Sequence, residues 1–119
     1  MATAEELREA LDDYVERANK SERVGRTLGA WTCTMHLAAD DADAAFTLVI
    51  ESGALTGLSA GLRGTPDLIV RGASENLADI FWGDANPAST YMQGAIKVQG
   101  SAEDVMKLDA MAMFVYLET

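Results

Sequence analysis

The sequence has few residues of the kinds that build disulfide frameworks and metal centres. Its 119 residues include one cysteine, Cys33, and one histidine, His36. A single cysteine cannot form a disulfide within the chain, which is typical of a reducing compartment, and one Cys with one His cannot supply the four ligands of a tetrahedral metal site. We therefore expect a cytoplasmic protein with no metal ion and no cofactor.

Basic residues are also scarce. Nine Lys and Arg stand against 19 Asp and Glu, so the formal net charge is −10 at pH 7. Such a surface repels phosphate backbones and anionic lipid headgroups. The charge argues against nucleic acid as a partner and against stable anchoring on a membrane, and it favours partners that are neutral or small. An acidic surface of this kind also resembles those of proteins from high-salt habitats.

Long hydrophobic runs are absent. The apolar segment 46–50 is far shorter than the roughly 20 residues that a membrane-spanning helix needs. The chain starts Met-Ala-Thr-Ala-Glu-Glu, which has neither the basic region nor the apolar core of a secretion signal. With 49% hydrophobic residues the chain is long enough for one sizeable core, so residues 1–119 are predicted to form a single globular domain.

The first half of the chain predicts one helix followed by a three-stranded meander. Thr3 and Glu6 form a capping-box pattern, and apolar residues then recur at helical spacing to about residue 20. From Ala30 the apolar residues alternate with polar ones, which is typical of half-buried strands separated by polar turns. The predicted strands cover residues 31–37, 46–50 and 55–59.

The second half predicts short elements that glycine and proline delimit. A strand at 67–71 leads into a helix with Ser74 as its predicted N-cap and Gly83 as its stop. Asn86 and Pro87 then begin a short helix, because Asn caps well and Pro is tolerated at the first helical position. A fifth strand containing Ile96 and Val98 follows, and Ser101 caps a long terminal helix.

The terminal helix carries apolar residues on two adjacent stripes. One stripe includes Val105, Leu108 and Val115, and the neighbouring one includes Met106 and Met113. One stripe can pack on a sheet, but the other needs a second surface, a partner or a ligand. Methionine is unbranched and polarizable, so it suits a wall that accepts irregular shapes, but most apolar stripes at helical spacing are simply core, and core packing is the preferred interpretation for any single methionine.

The order and spacing of these motifs resemble the sterol carrier protein 2 domain family. The stretch Gly-Asp-Ala-Asn-Pro-Ala-Ser-Thr-Tyr-Met-Gln-Gly at 83–94, with Pro-Asp-Leu-Ile-Val-Arg-Gly at 66–72 before it, carries the most specific part of the likeness. The resemblance implies an α+β fold, in which helices cover a five-stranded, mostly antiparallel sheet. An apolar tunnel between sheet and helices would hold fatty acyl chains, sterols or related lipids, and no catalytic group is implied.

The resemblance also implies positions for the ligand-binding residues. Tyr91, Met92 and Gln93 fall where the family has tunnel-lining residues, and the terminal helix falls where it has a lid. Gln93 either orients a headgroup or bonds to neighbouring backbone, and both readings stay open. The chain departs from peroxisomal relatives because it ends Leu-Glu-Thr and is far more acidic. The full predicted set is Leu77, Phe81, Tyr91, Met92, Gln93, Met106, Met111 and Met113.

Readings as an enzyme have little support in the sequence. Cys33 and His36 are three residues apart, and on a strand this spacing puts the two side chains on opposite faces, so they make a poor nucleophile pair. The segment 61–64 lacks the Lys and Ser/Thr of a phosphate-binding loop. The expected function is therefore noncovalent binding, with possible transfer, of a lipid or other hydrophobic metabolite. The alternative is an accessory module of an isoprenoid or quinone pathway, whose apolar groove docks a partner protein or a second copy as a homodimer.

Overall fold

The computed structural model describes residues 2–118, so Met1 and Thr119 of the predicted domain lie outside the described residues. The first helix, α1, covers Ala4–Lys20 and begins with the predicted capping box, because the Thr3 hydroxyl accepts from the Glu6 N–H and the Glu6 side chain accepts from Thr3. A second helix, α2, covers Glu22–Leu28 and was not predicted. It is short and buries only two residues, so its sequence carries little periodic signal.

Five strands form one sheet: β1 (Cys33–Ala39), β2 (Ala45–Glu51), β3 (Ala54–Ala60), β4 (Leu68–Gly72) and β5 (Ile96–Gly100). Their order across the sheet is β3-β2-β1-β4-β5. Three of the four pairings are antiparallel, and β1 pairs with β4 in parallel. The α+β class and the mostly antiparallel sheet are therefore confirmed.

The segment between β3 and β4 crosses the outer face of the sheet. The Arg63 carbonyl lies 2.9 Å from His36 Nε2, and the Thr47 hydroxyl donates to the Gly61 carbonyl at 2.8 Å. The same hydroxyl accepts from the Arg63 N–H at 2.8 Å. These bonds satisfy polar side chains that the crossing segment buries, which is the usual condition for burying them. His36 therefore has a structural role on the face opposite the helices.

The helix after β4, α3, covers Ser74–Trp82, and the prediction that Ser74 is its N-cap is wrong. The N-cap is Ala73, and Ser74 is a fully buried first helical residue. Its N–H and hydroxyl donate to the Asp41 carboxylate at 2.8 and 3.2 Å, and these bonds lower the pKa of Asp41. A residue 33 positions away thus satisfies the helix start, which local sequence could not indicate.

The last two helices match the sequence-based expectations. Helix α4 covers Pro87–Met92, with the Asn86 side chain accepting from the Ala88 and Ser89 N–H groups. Gly94 has a φ of +77°, which lets the chain turn directly into β5. Helix α5 covers Ala102–Leu117 and is capped by Ser101. The core lies between the sheet and the helices, on the face to which Met35, Leu48 and Val70 contribute.

Candidate functional site

An apolar cavity lies between the inner face of the sheet and the helices. Its volume is about 70 Å³, counted as the space open to the centre of a water molecule. Four strands and four helices line it, because alternate residues of the strands and one side of each helix point inward. The strand residues are Met35, Leu37, Leu48, Val70, Ile96 and Val98, and the helical residues are Leu11, Tyr14, Leu77, Ile80, Phe81, Pro87, Tyr91, Leu108, Asp109, Met111 and Ala112.

Helix α1 contributes Tyr14, a buried residue that lines the cavity. Its ring packs edge-on against Phe81, with ring centroids 5.5 Å apart. Burial raises the pKa of Tyr14, and the positive charge of Arg17 opposes that shift only in part. The phenol is therefore neutral and adds no charge to the cavity wall.

A groove adjoins the cavity between α4 and α5, and exposed residues such as Ala88 and Met92 line it. Its volume on the same measure is about 150 Å³. Ala88, Met92 and Met113 line the groove alone. Four residues line both spaces and so form the boundary between them, and we call these four the mouth: Pro87, Tyr91, Asp109 and Ala112.

The eight predicted ligand-binding residues divide among three locations. Leu77, Phe81, Tyr91 and Met111 line the cavity. Met92 and Met113 line the outer groove, and Met92 is 85% exposed. Gln93 and Met106 line neither space, and Met106 is 70% exposed. Contact of any of them with a ligand stays a prediction.

Sequence reasoning missed several of the residues that surround the cavity. A tunnel between sheet and helices was expected, and the alternation of β1 indicates that Met35 and Leu37 share one face, so these two could have been named among its wall residues. Tyr14 was assigned only to an amphipathic helix. Asp109 had no signal at all, because an acidic residue on a helix is normally solvated.

Hydrogen bonds and a cation–π contact hold helix α5 against the rest of the fold. The Trp31 indole N–H donates to the Asp104 carboxylate at 2.8 Å, and Lys107 Nζ donates to the Thr27 carbonyl at 2.7 Å. Near its end, the Arg23 guanidinium lies 4.6 Å from the centre of the Phe114 ring. The side chains of Met111 and Val115, both residues of α5, are buried. In contrast, α4 has no buried residue.

The buried Cys33 thiol lacks the features of a reactive nucleophile. Burial raises the pKa of the Cys33 thiol to about 12, with smaller contributions from the carboxylates of Asp104 and Asp67. A neutral, buried thiol is a poor nucleophile. Within residues 2–118 no three His, Cys, Asp or Glu side chains are grouped so that they could hold a metal ion. The described helices include none that is long and apolar enough to cross a membrane.

Comparison with known proteins gives one family and a consistent fold. The profile of the SCP-2 sterol transfer family matches residues 9–113. A crystal structure of sterol carrier protein 2 is similar over 92% of both chains, with 17% identity and a TM-score of 0.70. Palmitated SCP2L2 from Aedes aegypti is 18% identical over 93% of this chain and 95% of its own, with a TM-score of 0.64. No curated protein matches the sequence significantly.

A ubiquinone synthesis protein, UbiJ-SCP2, has the same fold. It is 15% identical over 92% of this chain and 94% of its own, and the TM-score is 0.66. At identities this low the similarity shows a shared fold, and it does not show that these proteins bind the same ligand.

Proposed function

Because the protein belongs to the SCP-2 sterol transfer family, we propose that it binds the hydrocarbon tail of a lipid noncovalently in the cavity between sheet and helices. The cavity and the outer groove together would form the tunnel, and the mouth would be its opening. The bound lipid would be shielded from water and carried or presented in the cytoplasm. The observation that carries this proposal is the apolar cavity itself, which eight elements of the fold line together.

The walls suit an alkyl chain better than a polar metabolite. Burial of a methylene group stabilises binding by roughly 0.8 kcal/mol, so a long chain can bind tightly without any charged partner inside the cavity. Aliphatic and aromatic side chains form the inner wall, and the acidic group, Asp109, lies at the mouth. A lipid would therefore place its chain inside and its headgroup outward.

Ligand binding requires the cavity to widen. Its volume of about 70 Å³ is well below the roughly 300–1,000 Å³ that small-molecule pockets occupy. Helix α4 is the wall that moves at least cost, because it buries no residue and packs only at the edge of the fold. Helix α5, which is tied to Trp31 and Thr27, would stay in place. The proposed lid is therefore α4 rather than the terminal helix.

A second candidate function is that of an accessory module without a cargo of its own. The fold shared with a ubiquinone synthesis protein and the exposed Met92, which lines the groove between α4 and α5, favour it. In that case the groove between α4 and α5 would dock a partner protein or a second copy of the chain. Neither candidate includes catalysis, so we propose a protein without enzymatic activity.

Titration with pyrenedodecanol, a fluorescent long-chain alcohol, tests the first candidate. We expect saturable binding to the wild-type protein and a loss of at least tenfold in affinity for Ala112→Phe, because the larger ring fills the mouth. Ala102→Phe is the matched control, since Ala102 lies on the same helix, is exposed and lines neither space. Equal binding by both variants would contradict the proposed cavity, and no binding by any of them would contradict lipid binding.

A further inference from the structure

The mouth of the cavity carries a negative charge that no basic residue balances. Among the residues that line the cavity and the groove, Asp109 is the only acidic one, and no Lys, Arg or His lines either space. The contacts found within residues 2–118 include no ion pair or hydrogen bond of the Asp109 side chain. Its oxygens are therefore available to a donor that arrives with a ligand.

The surroundings of the mouth are acidic as well. Residues 72–96, which include α3 and α4, contain three acidic residues and no Lys or Arg. On α5 the one basic residue is Lys107, whose Nζ is engaged by the Thr27 carbonyl. Lys97 of β5 points to the opposite face of the sheet, where it lines a surface pocket with Arg71.

Two other sources of positive potential are already occupied. Arg17 lies over the ring of the cavity residue Tyr14, but its guanidinium donates to the Asp13 carboxylate and to the Phe81 carbonyl. The amides at the start of α4 are satisfied by the Asn86 side chain. A carboxylate headgroup at the mouth would thus find neither a free cation nor a free N–H group of this helix.

We infer that Asp109 selects ligands by headgroup, so that this chain takes lipids ending in a hydroxyl or a protonated amine and disfavours fatty carboxylates. This inference rests on the proposed function, because it requires the lipid chain to occupy the cavity with its headgroup at the mouth. A hydroxyl or ammonium would donate to the Asp109 oxygens. A carboxylate would face a like charge, and discrimination arises as much from that repulsion as from the favourable bond.

The environment of Asp109 strengthens the effect. Asp109 is exposed overall, but its place beside the apolar residues of the mouth partly desolvates the carboxylate and raises its pKa. Electrostatic interactions beside apolar walls are screened less than those in open water. An acidic group at the mouth therefore acts on an incoming headgroup at close range and beside apolar walls.

Three probes of equal chain length test the inference. They are pyrenedodecanol, pyrenedodecylamine and pyrenedodecanoic acid, each titrated into the wild-type protein, Asp109→Asn and Glu103→Gln at pH 7.5. Glu103 lies on the same helix, is exposed and lines neither space, so its variant removes one negative charge from α5 without altering the lining of the cavity or the groove.

For the wild-type protein we expect the alcohol and the amine to bind at least tenfold more tightly than the acid. Asp109→Asn should narrow the difference between acid and amine at least fivefold, and Glu103→Gln should keep the wild-type ratios. Asp109→Lys, as a second variant, should make the acid the preferred probe.

Equal affinities of the wild-type protein for all three probes would overturn the inference and leave the proposed function standing. Ratios that change equally in Asp109→Asn and Glu103→Gln would also overturn it, because net charge would then explain them. Absence of binding by every probe would refute the proposed function and the inference together.

Discussion

Met111 and Met106 allow the cavity to be tested with one substitution at two places on the same helix. Met111 is 1% exposed and lines the cavity, whereas Met106 is 70% exposed and lines neither space. Met111→Ala should destabilise the free protein by about 2 kcal/mol, the low end of the range for buried methionine, because one side of Met111 already faces empty space. For a domain of this size that is a fall of roughly 8 °C in Tm.

The same substitution should improve ligand binding. It removes three heavy atoms from the cavity wall, so a lipid chain two or three carbons longer would fit. At roughly 0.8 kcal/mol per methylene, that is a gain of about 2 kcal/mol, or more than tenfold in affinity. Saturating long-chain alcohol should therefore raise the Tm of Met111→Ala by more degrees than it raises the wild-type Tm.

Thermal unfolding with and without a long-chain alcohol measures both effects. Met106→Ala should unfold within about 2 °C of the wild-type protein and respond to the alcohol as the wild type does, since its side chain is mostly in water. If Met111→Ala loses stability but the alcohol stabilises it no more than the wild type, then Met111 is ordinary core and the cavity does not receive the chain.

Three further predictions concern the parts of the fold that support the site. Asp41→Ala should destabilise the protein by about 1–3 kcal/mol in urea unfolding, because the buried Ser74 N–H loses its acceptor, and a loss below about 0.5 kcal/mol would contradict that role. Gly94→Val should cost about 1–3 kcal/mol through backbone strain alone, since φ is +77° and no atom lies within 4 Å of the added Cβ; unchanged stability would refute this. Burial raises the folded-state pKa of Asp109. The protonated side chain therefore contributes stability that is fully present below the unfolded-state pKa and is lost as the pH rises through the folded-state pKa. Asp109→Asn should accordingly be more stable than the wild type at pH 7 by urea unfolding, with the difference shrinking towards pH 4, and a difference that grows on acidification would contradict the sign.

The features that the sequence predicted well are those decided by neighbouring residues. The capping box of Thr3 and Glu6, the Asn86-Pro87 start of α4 and the turn at Gly94 each depend on residues within a few positions. The predicted N-cap of α3 was wrong because Asp41, the residue that accepts from the Ser74 N–H at the helix start, is 33 residues away in the sequence. The short helix α2 was not predicted for a different reason. Its seven residues include only two buried positions, so they show hardly any helical periodicity of apolar residues.

The candidate site was predictable only in part, because a helix with two apolar stripes does not reveal which stripe faces the sheet. Met111 is on the buried side of α5, whereas Met106 is on its exposed side. Tertiary contacts of Trp31 and Lys107 fix this rotation, and both involve partners far apart in the sequence. The position of Asp109 at the mouth depends on the same rotation, so an isolated acidic residue could not be assigned to the site from its neighbours.

Native mass spectrometry of the protein purified from its own host tests the central proposal most directly. Lipid binding predicts a monomer with an added mass that organic solvent removes, and it predicts that Ala112→Phe carries little or none of this mass while Ala102→Phe carries it as the wild type does. A wild-type protein without added mass, or a dimer without added mass, would contradict the proposal and favour the accessory module.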